Sequence, residues 1–173
     1  ALSVEEIDTA SVSDYFYPDE NELVGSRTES SKTYVTETGK AALVTTDPIH
    51  YLDDGGVWQN IDLNIETTAT GWAVTENTFT TEFSADMNRG ISIQVDDTVD
   101  PLLMGLNPTL VTMEGDSMAP MVYGLDETAE TISTGGNVLR YPMGEGVSLD
   151  YQVTAKSVKQ NLIIRDMPYF AEG

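Results

Sequence analysis

The sequence predicts an all-β fold: a β-sandwich-like domain of antiparallel hairpins with an extended amino-terminal arm. Three observations carry that expectation. Apolar and polar residues alternate with period two in one stretch after another. Asp, Asn and Gly cluster between those stretches, where tight hairpin turns need residues that tolerate positive φ. No apolar stripe of 3.6-residue period reaches helical length in the first half of the chain. The divisions read from the sequence are an arm over 1–22, an all-β domain over 23–165 and a carboxy-terminal tail over 166–173.

The arm contains no basic residue, and Ser3 with Glu6 could cap a short helical turn. Thr9, Ser11, Val12 and Ser13 then work against a helix, so an extended segment with at most one turn is expected. Val4, Ile7, Val12, Tyr15 and Tyr17 give it apolar side chains to bury, either on its own domain or on the open edge of another copy.

From Leu23 the strands follow one another. Ser31 to Thr36 and Lys40 to Thr46 flank Glu37-Thr38-Gly39 as a hairpin. Ile49 to Leu52 and Val57 to Ile61 flank Asp53-Asp54-Gly55-Gly56 as a second, with Val57, Gln59, Ile61, Leu63 and Ile65 expected on the core face and Trp58, Asn60, Asp62 and Asn64 opposite. Trp72 and Val74 share a face in the run from Gly71 to Thr75. Phe79, Thr81 and Phe83 alternate with Thr80 and Glu82, and Met87 to Gly90 turns the chain into Ile91, Ile93 and Val95. Between Asp96 and Gly136 the pattern is broken by Asp, Pro and Gly, leaving short strands at Leu110 to Met113 and Met121 to Tyr123, with methionines filling irregular gaps. Order returns at Asn137: Val147, Leu149, Tyr151 and Val153 alternate with Ser148, Asp150, Gln152 and Thr154, and Val158 to Ile164 returns across Ala155-Lys156-Ser157.

At 173 residues and 40% hydrophobic, the chain can bury a core. Its 29 acidic against 8 basic residues give a formal net charge of -21. Such a surface repels nucleic-acid phosphates and anionic membranes, and no apolar run is long enough for membrane insertion as a helix. Acidity of this kind suits a salty or extracellular setting. The start at Ala1 is what signal-peptide removal would leave, although a trimmed chain would look the same. Secretion to the extracellular space or the cell surface is the expected location. Of the basic residues, Arg140, Lys156, Lys159 and Arg165 fall in the last third, which permits either head-to-tail attraction between copies or local charge pairs across the hairpin.

Chemistry is read mostly by exclusion, and no enzyme is expected. Without cysteine there are no disulfides, thiolate metal sites or cysteine nucleophiles. His50 is the single histidine, and a lone His beside Tyr51 in a strand reads as a half-buried aromatic rather than a base. Paired carboxylates alone would serve a glycosidase, but among so many acids their mere presence carries no weight. The acidic turns Asp53-Asp54, Asp96-Asp97-Asp100 and Glu114-Asp116 are candidate oxygen ligands for Ca²⁺, without matching a twelve-residue EF-hand loop. Trp58 and Trp72 are candidate platforms for a sugar ring.

Two blocks carry a family resemblance. Glu22 to Asp62 resembles the amino-terminal β-domain of large secreted prokaryotic cell-surface proteins of the wall-associated and Rhs (YD-repeat) class, through Arg27 to Lys32, Pro48 to Tyr51 and Trp58 to Asp62, with Asn60 where an acidic residue is usual. Gly146 to Arg165 is similar to that family's last hairpin. The resemblance implies an extracellular, non-catalytic β-domain. This chain has no repeats after that domain, so it is either an excised domain or a reuse of the fold as a free-standing subunit. The function expected is a structural subunit of an extracellular or cell-surface assembly, such as a filament, built by strand or arm exchange between copies. The alternative is a monomeric β-module that binds glycan or another cell-wall or extracellular polymer.

Overall fold

A computed structural model describes residues 19–85, 89–95, 98–104, 110–114, 117–121, 130–132, 136–144 and 147–165, with the backbone alone between 110 and 132. The fold is all-β, and every strand pairing in it is antiparallel. Residues 1–18 with Val4, Ile7, Val12, Tyr15 and Tyr17, the tail 166–173, and Asp96 and Asp97 lie outside the described residues. Close contacts gather the chain into two compact units, Ala1–Ile61 and Asp62–Gly173, with a boundary that falls inside the expected domain 23–165.

In the first unit two short 3-10 turns, Asp19–Asn21 and Val24–Ser26, lead into β1 (Ser31–Thr36) and β2 (Gly39–Val44). Their register places Thr36 opposite Gly39, so the turn proper is Glu37-Thr38 and Gly39 already belongs to the strand. The second hairpin is β3 (His50–Leu52) with β4 (Trp58–Asn60), Leu52 standing opposite Trp58 across the Asp-Asp-Gly-Gly turn. Gly56 has φ +75, the left-handed value that selected glycine there.

The strand expected to run on past Ile61 stops at Asn60. Asp62 Oδ1 accepts the Asn64 amide at 2.9 Å, a local turn that competes with ladder pairing. The Asp62 amide instead donates to Glu76 O at 2.8 Å and the Ile65 amide to Gly136 O at 2.8 Å. The apolar side expected for this segment is therefore divided. Leu63 and Ile65 pack on the core of the second unit, while Val57 is 51% exposed.

The second unit holds two larger sheets. One has the order β5 (Glu66–Thr67), β6 (Gly71–Val74), β7 (Thr80–Ser84), β8 (Ile91–Gln94), β9 (Leu102–Met104). Strands β10 (Leu110–Glu114) and β11 (Ser117–Met121) form a separate pair, so β11 lies earlier than the expected Met121 to Tyr123, whose last two residues are outside the description. The other sheet has the order β12 (Glu130–Ile132), β13 (Val138–Gly144), β14 (Val147–Val153), β15 (Val158–Ile164). Val74, Phe83 and Ile91 from the first sheet and Leu139, Tyr141, Met143, Val147, Leu149, Tyr151 and Val153 from the second make one core. Tyr151 packs edge-on against Tyr141 at 5.9 Å and tilted against Phe83 at 6.1 Å, favourable aromatic geometries. The Tyr141 hydroxyl donates to Ser84 O at 3.0 Å, and burial pushes the Tyr151 phenol up to about 12. Gly71 is fixed by close approach, because a Cβ there would collide with the Phe83 carbonyl of the neighbouring strand.

The alternation expected for β14 is present, but both of its faces are shielded. Ser148 and Asp150, expected to face water, are 7% and 8% exposed. Asp150 tolerates this because Arg140, directly opposite on β13, donates to both its oxygens at 2.8 and 2.7 Å.

Candidate functional site

The first unit is organised around buried charge. Glu22, held by a bridge to Tyr34 on β1, receives Arg27 in a two-pronged bond, Nε to Oε1 at 2.6 Å and Nη2 to Oε2 at 2.9 Å. Lys32, on β1, stands 3.7 Å from both Glu22 Oε2 and Asp19 Oδ1. Arg27 Nη1 also donates to Trp58 O at 3.3 Å, tying the 3-10 turns to the β3–β4 hairpin. The Arg27 bond holds the Glu22 carboxyl below its ordinary range, against the opposing effect of burial.

His50 is more deeply placed than a half-buried strand residue. It is 0% exposed, and its Nδ1 meets Thr28 O at 2.6 Å, which makes Nδ1 the protonated nitrogen of the neutral ring. Among the described residues its buried Nε2 has no hydrogen-bond partner. Burial lowers its pKa, and the Arg27 and Lys32 charges act in the same direction. The ring is closed to solvent, and the nearby Glu22 carboxylate is locked to Arg27. The cluster fastens the 3-10 turns to the β3–β4 hairpin. Sequence reading missed it as a unit; the available signal was the closeness of Arg27 and Lys32 in a chain with only 8 basic residues.

The candidate Ca²⁺ ligands fall in both units. Asp53 serves its own turn: Oδ1 accepts the Gly55 and Val57 amides, each at 2.9 Å, and Oδ2 accepts Gln59 Nε2 at 2.8 Å. The Val57 and Gln59 bonds lead in lowering its pKa. Asp54 is exposed on the same turn, whereas Asp100 belongs to the second unit. Among the described residues no three His, Asp or Glu side chains gather into a metal-sized group. The two tryptophans belong to different units. Trp58 is half-buried on β4, and Trp72 packs one side against the core of the second unit.

Among the described residues, the surface features available for interaction include sheet edges and a depression. Among the described residues strand β15 ends the four-stranded sheet and β9 the five-stranded sheet. On β15, Leu162 and Ile164 stand opposite Leu149 and Val147, on the core side of the sheet, yet they are 46% and 48% exposed. On β9, Leu102 and Leu103 are 62% and 68% exposed, near exposed Val95 and Val99. The depression, about 620 Å³, is lined by the outward residues Thr80, Glu82, Ser92 and Gln94 of β7 and β8 together with Thr98 to Pro101. Neither tryptophan lines it. No family model matches this chain, nor does any curated protein or solved structure.

Proposed function

We propose that this chain is a non-catalytic structural subunit of an extracellular or cell-surface assembly, held together by strand addition between copies. The observation that carries the reading is the state of the edges of the second unit: β15 and β9 end their sheets while exposing Leu162, Ile164, Leu102 and Leu103. An edge strand with free N–H and C=O groups and apolar side chains is a template for another strand. Secretion is supported by the acidic balance and by the resemblance of 22–62 and 146–165 to surface β-domains of the wall-associated and Rhs class. Light scattering and negative-stain microscopy on the full chain, with and without millimolar Ca²⁺, test the reading. Regular assemblies support it, and a clean 18.8 kDa monomer in both conditions overturns it.

The polar depression over β7 and β8 favours a second reading, a monomeric module for a hydroxyl-rich surface polymer. In that case Glu82→Ala weakens binding to an immobilised polysaccharide while the chain stays monomeric.

A further inference from the structure

The edges of the second unit differ in charge, and that difference selects a partner. Strand β5 carries Glu66, β12 carries Glu130, and β9 follows Asp96, Asp97 and Asp100 in sequence. Strand β15 is the opposite case: Lys156, Lys159 and Arg165 lie on it or beside it, and no acidic residue occurs between Asp150 and Asp166. In a chain of net charge -21 this is an unusual stretch, and it coincides with the half-exposed pair Leu162 and Ile164.

The amino-terminal 18 residues have the complementary character, with Glu5, Glu6, Asp8 and Asp14 and no basic residue. Residues 11–17, Ser-Val-Ser-Asp-Tyr-Phe-Tyr, match the 7-residue length of β15, about 23 Å at the rise of an antiparallel strand. In a strand Tyr15 and Tyr17 share a face two residues apart, the spacing of Leu162 and Ile164, and Asp14 falls on the other face with Lys159 and Arg165.

We infer that the outer edge of β15 is the acceptor for residues 11–17 of a second copy, with Tyr15 and Tyr17 covering Leu162 and Ile164. This rests on the reading of the chain as self-associating and specifies which edge and which segment meet. The donor segment and the acceptor edge are different surfaces, so the contact is heterologous. Repeated from copy to copy it gives an open chain of subunits where the rotation does not close, and a ring where it does.

The absence of cysteine from the sequence allows a background-free test. Asp14→Cys chains are mixed with separately purified Arg165→Cys or Asn161→Cys chains, which report antiparallel and parallel addition, and oxidised under mild conditions. A Leu103→Cys chain on β9 is the edge control. A disulfide-linked pair with Arg165→Cys or Asn161→Cys and not with Leu103→Cys is expected. Deletion of residues 1–18 is expected to abolish assembly in light scattering while leaving the circular dichroism of the β-sheets. No link to β15, a preferred link to β9, or a doubly substituted chain that closes only on itself overturns the inference. Assembly that survives the deletion overturns it while leaving self-association standing, whereas a full-length chain that is monomeric removes both.

Discussion

The unit that ends at Ile61 buries Lys32 and His50, with the Glu22–Arg27 pair beside them, whereas the unit that begins at Asp62 buries Phe83, Tyr141, Tyr151 and a surround of aliphatic side chains. The first arrangement depends on hydrogen-bond geometry and protonation state. The second rests mainly on apolar area removed from water, with Arg140–Asp150 as its buried ion pair. In the first unit β3 and β4 have 3 residues each, and the turns beside them are tied on by the charged cluster. Strands β13 and β14 have 7 residues each and stack a continuous inner face.

Each unit contains one tryptophan, Trp58 or Trp72, so Trp72→Phe and Trp58→Phe backgrounds report the two units separately. The largest effect is expected from Phe83→Ala, which empties the ring contact with Tyr151 and costs about 3–5 kcal/mol in the urea transition reported by Trp72. An equal loss in the Trp58-reported transition would show that the two units unfold together.

Next is Glu22→Ala, which leaves Arg27, with its side chain 10% exposed, without its carboxylate. A loss of about 3 kcal/mol in the Trp58-reported transition is expected, because the remaining buried charge is uncompensated. The double change Glu22→Ala with Arg27→Met should recover part of it. If the single change costs nothing, the cluster does not hold the unit together.

The pH response follows from His50. Its folded pKa lies below the ordinary 6.5, so the unfolded chain binds the proton more readily. Stability of the first unit is full above that ordinary value and falls as pH drops toward the folded value, by about 1.4 kcal/mol for each pH unit between the two. Glu22 adds a second loss at lower pH, since its depressed carboxyl contributes stability above 4.5 that disappears as pH falls through its folded pKa. Urea midpoints at pH 7 and pH 5.5 should therefore separate in the Trp58 signal and coincide in the Trp72 signal. His50→Phe should flatten the upper part of the slope, and an unchanged slope would exclude His50 as its source.

The smallest effect is expected at the Asp53 turn. Asp53→Ala removes acceptors from the Gly55 and Val57 amides at an exposed position, so the Trp58-reported midpoint should fall slightly with its steepness unchanged. A loss comparable to that of Glu22→Ala would make the turn, rather than the cluster, the centre of the unit.

Much of the strand order was legible beforehand because turn chemistry is local. Asp53 to Gly56 requires a tight reversal wherever it occurs, and the alternation from Val147 to Val153 places Leu149, Tyr151 and Val153 in the core under any packing. Strand β9 and the extent of β11 were not legible. Leu102 to Met104 is too short to alternate visibly, and Pro120 obscures the strand that pairs with β10. For the candidate site, the apolar and charge character of β15 could be read from Lys159, Leu162, Ile164 and Arg165, but not its position at the end of a sheet.

The sequence by itself determined an all-β chain, its principal hairpins, its acidic surface and its single histidine, because these depend on composition and on contacts between near neighbours. Only the tertiary structure decided that Glu22 meets Arg27 and Lys32, that Thr28 faces His50 and that Asp150 is buried against Arg140. It also decided that the extended run ending at Asn60 gives way to a new unit at Asp62. Such outcomes depend on which segments approach across long sequence separations, where a buried charge persists only if its partner arrives with it.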